Sequence, residues 1–385
     1  MTQPEPLRRY LDNAATSWPK PEPVLEAWEH AARTIGATAG RAAYREAVAA
    51  DAIRRRARER AARLLGGVDP TRVALPGGAT LALNMAIHGI VKPGDHVIAT
   101  AADHNATLRP LHWLERRGVI ALTIVPCDAS GRVDPEAVAA AWRPTTRLVA
   151  CSHASNVTGA VQDAAAFAAI AHAGHGLLLL DAAQTLGIIA FPADCHGADL
   201  VVAPAHKWVH GMSGAALLWA RPGLEIDPPL QGGTGTASES LDMPAGSVER
   251  LEAGTPDVPA LAALAAAVDW LEERSIAALA AQCRELATDC ADGLRAIAGV
   301  RVIAAPEGGA PIVSFTVDGY DPAEVAAILE QAAGIQARSG FHCAACVHEF
   351  LGTSDGGTVR LGFGPHNTAD DVDAVVQTVS TLTRG

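Results

Sequence analysis

Short, continuous apolar runs recur along the chain at Val73–Leu75, Val97–Thr100, Val119–Val125, Leu148–Cys151, Leu177–Leu180, Leu200–Ala203 and Ala215–Trp219, with helix-like stretches between them. Strands that are apolar on both faces belong in a parallel sheet covered by helices on each side, because only there do both faces leave water. The pattern predicts an open α/β domain built on a mostly parallel, seven-stranded sheet. In such sheets ligands gather beyond the carboxyl ends of the strands, so the residues just after each run are the ones to read for chemistry.

Past the glycine-rich segment Gln231 to Gly235 the pattern changes. An Ala/Leu-rich helical region from Pro259 to about Ile297 leads into strands near Val300–Ile303 and Ile312–Val317. Helices near Pro322–Ala333, Ala344–Phe350 and Thr368–Leu382 then alternate with short strands at Ile335–Arg338 and Thr358–Phe363. This predicts a second, smaller α/β domain. The expected division is 13–257 for the large domain, with 1–12 and 258–385 forming the small one.

Composition removes several classes of function. A chain of 385 residues, 49% hydrophobic and 19% charged, is an ordinary globular protein with a large core. The net charge of −12 argues against a nucleic-acid partner, and the arginine run Arg54, Arg55, Arg56 and Arg58 reads as a solvated helix face. Met1 to Arg9 is polar and lacks the apolar core of a signal peptide, and no run approaches a membrane span. Seven cysteines without regular spacing suit a reducing cytoplasm better than a disulfide framework.

Several strand ends carry unusual residues. Pro76-Gly77-Gly78-Ala79-Thr80 opens a helix near Leu81, and its free N–H groups and helix dipole would suit a phosphate, although such a turn can equally be only a turn. Asp103-His104-Asn105 and Ser152-His153-Ala154-Ser155-Asn156 follow two further strands. One histidine beside a strand end is generally structural; two on the same sheet edge suggest a site. Asp181 ends a run of four leucines, either as a helix N-cap or as the counter-ion of a protonated heterocycle, with Gln184 close by. His206-Lys207 follows an apolar run, and a desolvated lysine loses its proton readily and becomes a nucleophile able to form an imine.

Together these residues resemble those of fold-type-I pyridoxal-phosphate enzymes, and within them the class V aminotransferase superfamily with its cysteine desulfurase and selenocysteine lyase members. The resemblance runs from Tyr-Leu-Asp-Asn-Ala-Ala-Thr at 10–16, through His-Ala-Ser-Asn-Val-Thr-Gly at 153–159, Asp-Ala-Ala-Gln at 181–184, His206-Lys207 and Glu-Ala-Gly-Thr-Pro at 252–256, to Arg-Ser-Gly-Phe-His-Cys at 338–343 and Val-Arg-Leu at 359–361. It implies that Lys207 binds pyridoxal 5'-phosphate covalently and moves the substrate proton. Asp181 would pair with the pyridinium nitrogen, His104 would stack on the ring and assist catalysis, and Asn156 and Gln184 would hold the phenolic oxygen. Ala79, Thr80 and His206 would take the phosphate. Thr255 would reach the phosphate of a neighbouring subunit, which implies a homodimer with shared sites. Arg360 would bind the substrate carboxylate in two-pronged fashion, with Asn13 and Arg338 beside it. No metal is implied.

Cys343 matches the persulfide-forming cysteine of the desulfurases. Arg338, His342 and a helix start at Ala344 are the neighbours that would favour its thiolate, the alternative being an inert thiol. It opens Cys343-Ala-Ala-Cys346, flanked by His342 and His348. Zinc would need a second cysteine pair that is absent, and a thioredoxin-like motif would follow an early strand, although a disulfide here would reversibly block Cys343. The chain departs from the family at Pro204-Ala205, where a hydroxyl residue and glycine usually precede His-Lys, and at Ala345, where proline is usual. The leading expectation is a cysteine desulfurase that converts L-cysteine to L-alanine and carries the sulfur on Cys343, with a protein as a possible sulfur acceptor. The alternatives are a selenocysteine lyase or another carbon–sulfur lyase, then a weakly active sulfur carrier or scaffold, and last a transaminase.

Overall fold

The computed structural model describes residues 8–384 apart from 41, 193, 247 and 305–307. Positions 1–7, which hold most of the polar start of the chain, lie outside the described residues. The chain runs through β1 (Arg9–Tyr10), α1 (Glu22–Thr34) and α2 (Arg45–Leu64) before alternating strand and helix. The succession is β2 (Val73–Ala74), α3 (Ala79–Ile90), β3 (His96–Thr100), α4 (Asn105–Arg116), β4 (Ala121–Val125), α5 (Pro135–Ala140), β5 (Thr146–Ser152), α6 (Ala164–Ala173), β6 (Leu177–Asp181), β7 (Leu200–Pro204) and β8 (Ala216–Ala220). The seven strands β2 to β8 form one sheet in the order β2-β8-β7-β6-β5-β3-β4, in which β8 alone runs against its neighbours. Each apolar run is one of these strands. β3, β6 and β7 are buried at every position, as strands covered on both faces must be.

The rest of the chain folds as α7 (Val258–Arg274), α8 (Ile276–Arg295), β9 (Val300–Ala304), β10 (Ile312–Val317), α9 (Pro322–Ala333), β11 (Ile335–Gln336), β12 (Arg338–Gly340), α10 (Val347–Leu351), β13 (Thr358–Gly362) and α11 (Ala369–Leu382). An antiparallel sheet of order β12-β13-β10-β9 forms the second layer system, while β1 pairs with β11 and Asp12 bridges to Gly362. The segment after β1 is thereby stitched to the small unit before it enters the large one.

Four local expectations change. The helical region beginning near Pro259 breaks at Ser275, whose φ of 64° lies outside the helical range and whose hydroxyl caps α8 at Ala278 N–H. Leu261, Leu264 and Val268 of α7 pack in the core that contains Val149, Leu178 and Val201 of the large sheet, whereas Leu286, Cys290 and Leu294 of α8 pack with Val313, Phe315 and Leu361. The first helix after residue 257 thus packs with the large sheet, and α8 passes from that core, where Ile276 and Leu279 lie, to the small one. The strand expected over Ile335–Arg338 divides, with Ile335 and Gln336 turned to β1 and Arg338 to β13. The arginines of α2 are only half a solvated face. Arg54 and Arg58 pair with Glu252, at 3.7 and 2.8 Å, while Arg55 and Arg56 remain in water.

Candidate active site

A cavity of about 330 Å³ opens beyond the carboxyl ends of β3, β5, β6 and β7, against the first turn of α3. Ala79, Thr80, His104, Asn156, Asp181, Gln184, His206, Lys207, Arg338 and Arg360 all line it. They come from seven separate stretches of chain: the parallel sheet brings five of them to one edge, and the small antiparallel sheet supplies Arg338 and Arg360.

Lys207 is half-buried, and burial lowers its pKa to about 8 against the opposing attraction of Asp181. Arg360 and Arg338 push in the same direction as burial. Burial in turn raises the Asp181 carboxyl, which the charge of Lys207 and the Ala183 N–H at 3.0 Å pull back. Just before the lysine, four donors converge on the His206 carbonyl: Lys20 Nζ at 2.8 Å, Ser17 N–H at 2.9 Å, Thr16 Oγ1 at 3.0 Å and Ser17 Oγ at 3.2 Å. The peptide leading into Lys207 is thus fixed from behind while its side chain faces the cavity. Burial takes the imidazole of His206 down to about 4, so it stands neutral.

His104 ends the loop after β3 and caps α4, its Nδ1 accepting from Ala106 N–H at 3.0 Å. Burial, with Lys207 next, lowers it to about 4. The neutral ring then carries its proton on Nε2. Asp103, fully buried beside it, accepts the N–H groups of Thr100 and Ser152 and so ties the end of β3 to that of β5. Gln184 has its oxygen on Trp208 Nε1 at 2.7 Å and donates to the Ala14 carbonyl at 3.0 Å. One amide hydrogen is left for a ligand.

Arg360 is 1% exposed, and its two terminal nitrogens are engaged: Nη2 with Asp12 at 2.7 Å and Nη1 with the Asn156 carbonyl at 3.0 Å. Its Nε is buried without a partner. The two-pronged carboxylate grip expected of Arg360 therefore begins from a guanidinium already oriented by Asp12, with Nε as the open donor.

Cys343 does not stand in the cavity wall. Its Sγ accepts from Arg338 Nη2 at 3.3 Å, and Arg338 does line the cavity. His342 and Cys343 occupy the centre of the turn Phe341–Ala344, with φ of 50° and 60°, and the Cys343 carbonyl accepts from Asn105 N–H at 2.7 Å. Left-handed backbone at two side-chain-bearing residues costs about 1–2 kcal/mol each and persists only where surroundings enforce it. Two of the three neighbours expected to favour the thiolate differ here. The helix begins at Val347, not Ala344, and His342 is buried against Thr358 with its pKa lowered to about 2, so it brings no positive charge. Arg338 is the cation at the sulfur.

Two further residues do not line the cavity. Asn13 is buried with its amide on the Gly362 carbonyl at 2.9 Å and its oxygen on Trp18 N–H at 3.2 Å, a clasp between the units. Thr255 is exposed in the loop before α7. Asp12, Lys20 and Asp103, to which the sequence reading gives no role, all support the site. Asp12 and Lys20 flank the Asn-Ala-Ala-Thr motif and Asp103 directly precedes His104, which was the available signal.

The site fits pyridoxal phosphate. Gly78, extended at φ 172°, leaves open space where a side chain would begin, and the first N–H groups of α3 behind it have no helical acceptor. Asn156 Oδ1 and His206 Nδ1 are buried without partners, as polar atoms awaiting a ligand would be. Among the described residues no three His, Cys, Asp or Glu side chains gather as a metal site.

A seven-stranded, mostly parallel sheet with a desolvated lysine beside a buried carboxylate at its carboxyl edge defines a fold-type-I pyridoxal-phosphate enzyme. The chain belongs to the aminotransferase class-V family, whose sequence profile matches residues 9–375. It is 30% identical to a probable cysteine desulfurase of Methanothermobacter thermautotrophicus, over 97% of this chain and 94% of that one. It is 31% identical to the cysteine desulfurase CsdA of Escherichia coli, over 96% and 92% of the two chains. The apo structure of cysteine desulfurase from Thermococcus onnurineus NA1 superposes with a TM-score of 0.89 at 28% identity, covering 98% of this chain and 95% of that one.

Proposed function

We propose that this chain is a pyridoxal-phosphate-dependent cysteine desulfurase, which converts L-cysteine to L-alanine and holds the sulfur as a persulfide on Cys343. The observation that carries the reading is the contact between Cys343 Sγ and Arg338 at the edge of a cavity that also contains Lys207 and Arg360. A transaminase has no use for a thiol held in that position.

Ala79, Thr80 and His206 would hold the cofactor phosphate, Asp181 its pyridinium nitrogen, His104 one ring face, and Asn156 with Gln184 its phenolic oxygen. Bound there, pyridoxal phosphate supplies an electron sink for charge left at the substrate Cα. Arg360 orients the substrate through its carboxylate, and Lys207 Nζ is the base for the Cα proton. Cys343 then takes the substrate sulfur: one sulfur–sulfur bond forms, the carbon–sulfur bond breaks, and its electron pair stays with the carbon that becomes the methyl of alanine. Thr255, exposed and not part of the lining of its own cavity, supports a homodimer in which it reaches the phosphate of a second copy. The seven free cysteines support a reducing compartment, the cytoplasm, and among the described residues no helix is long and apolar enough to cross a membrane.

Purified protein loaded with cofactor and given L-cysteine with a reducing thiol should release alanine and sulfide in equal amounts. Full turnover in Cys343→Ala would overturn the persulfide route. Faster turnover of selenocysteine, with cysteine untouched, would assign the alternative lyase.

A further inference from the structure

Cys343 and Cys346 are half-buried, whereas the other five cysteines are buried. The two border different cavities. Cys343 bonds to Arg338 of the inner cavity. Cys346, the residue before α10, lines an outer groove of about 790 Å³ with Arg109, His112, Trp113 and Arg116 of α4 and Ile124 of the edge strand β4. Asn105 joins the two sides: its N–H holds the Cys343 carbonyl at 2.7 Å, and the residue also lines the outer groove. Arg109 and Arg116 are exposed and have no ion-pair partner among the described residues, an unusual concentration of free positive charge on a chain of net charge −12.

We propose that Cys346 is a second sulfur-carrying residue, which takes the sulfur from Cys343 and presents it in the arginine-lined groove. This rests on the Cys343 persulfide proposed above. In the transfer the Cys346 thiolate attacks the terminal sulfur of Cys343–S–SH, the new bond forms as the Cys343–sulfur bond breaks, and the electron pair leaves with Cys343. Overall a thiol and a persulfide become a persulfide and a thiol, with one proton lost at Cys346 and one regained at Cys343, so no oxidant or reductant is consumed. The direction follows from the surroundings. Arg338, 3.3 Å from Cys343 Sγ, stabilises the departing thiolate. Burial and then Glu349 raise the Cys346 thiol, which makes Cys346 the poorer leaving group and disfavours return of the sulfur.

Relay to Cys346 frees Cys343 for a second substrate before any external thiol arrives, so the alanine burst counts the carriers. Rapid-quench mixing of the cofactor-loaded enzyme with L-cysteine should give about two alanines per chain in the native protein, about one in Cys346→Ser and none in Cys343→Ser. Alkylation and fragment mass spectrometry should find sulfane sulfur on Cys346 of the native protein. An unchanged visible spectrum of the loaded cofactor would show that Cys346→Ser is folded. A burst of one in both native protein and Cys346→Ser, or a Cys343–Cys346 disulfide with free sulfide, would overturn the relay while leaving the desulfurase intact. A burst that survives in Cys343→Ser would overturn the parent reading, and the relay with it.

Discussion

At Lys207 the loss of water around the ammonium outweighs the attraction of Asp181, which leaves the amine with a pKa of about 8. An amine reacts with an aldehyde only when unprotonated. Loading of cofactor onto the apo-protein should therefore accelerate with pH around a midpoint of about 8, not near the ~10.4 of a solvated lysine. Stopped-flow absorbance across pH 6–10 checks this, with Lys207→Ala as the blank. Arg360 makes a different prediction. Its fork meets Asp12, the Asn156 carbonyl and, through Nε, the cavity, and an ammonium cannot serve all three. Arg360→Lys should raise KM for L-cysteine by about ten- to a hundredfold and lower kcat less, since the grip acts on bound substrate throughout. At this scale the sequence was informative about type and silent about partners. Asp181 and Lys207 could be recognised because each ends an apolar run. The engagement of Arg360 with Asp12 could not, because 348 positions separate the two.

The small sheet and its turn decide where the sulfur chemistry sits. β12 carries Arg338 to one side of Cys343, and Gly357 lies so close that a side chain there would meet the Gly340 carbonyl carbon and oxygen at 2.3 Å. With φ of 82° Gly357 also occupies backbone space that side chains avoid. Gly357→Ala should lower stability by about 2 kcal/mol or more, read from the denaturant midpoint, and should slow persulfide formation by displacing β12. Exchange of the substrate Cα proton, which depends on the large sheet, should survive better. The inner strands of that sheet were legible as elements because two-sided burial writes an uninterrupted apolar run, whereas the edge strand β4 is apolar in sequence yet largely open to water. The turn at Phe341–Ala344 was not. Its left-handed residues are His342 and Cys343, with no glycine or asparagine to announce them, and docking against Asn105 holds them there.

The two units of the molecule are fastened through the N-terminal segment. Asp12 and Asn13 bind the small sheet at Arg360 and Gly362, and Thr16, Ser17 and Lys20 bind the His206 carbonyl of the large one. A substitution in this strap should act on both. Asp12→Ala leaves a buried guanidinium without its counter-ion. Asp12 is 22% exposed, so the loss should stay below the 3–5 kcal/mol of a fully buried pair, at about 2 kcal/mol. Thermal unfolding measures that loss, and a rise in KM for L-cysteine should accompany it. The proposed homodimer has its own test. Lys207→Ala and Thr255→Glu chains, each inactive alone, should regain activity when refolded together if Thr255 serves the partner's site, and should regain none if each site is complete in one chain.

The sequence by itself determined the seven strands of the large sheet, the smaller α/β unit after them, and the kinds of group that stand at the strand ends, because hydrophobic periodicity and strand-end position are local properties. Only the tertiary structure decided that α7 belongs to the large core, that Asn13 is a clasp, that Lys20 and its neighbours hold the peptide before Lys207, and that Cys343 and Cys346 border separate cavities. Those outcomes depend on which distant surfaces exclude water together. A side chain's pattern in sequence states that it will be buried, and packing alone states against what.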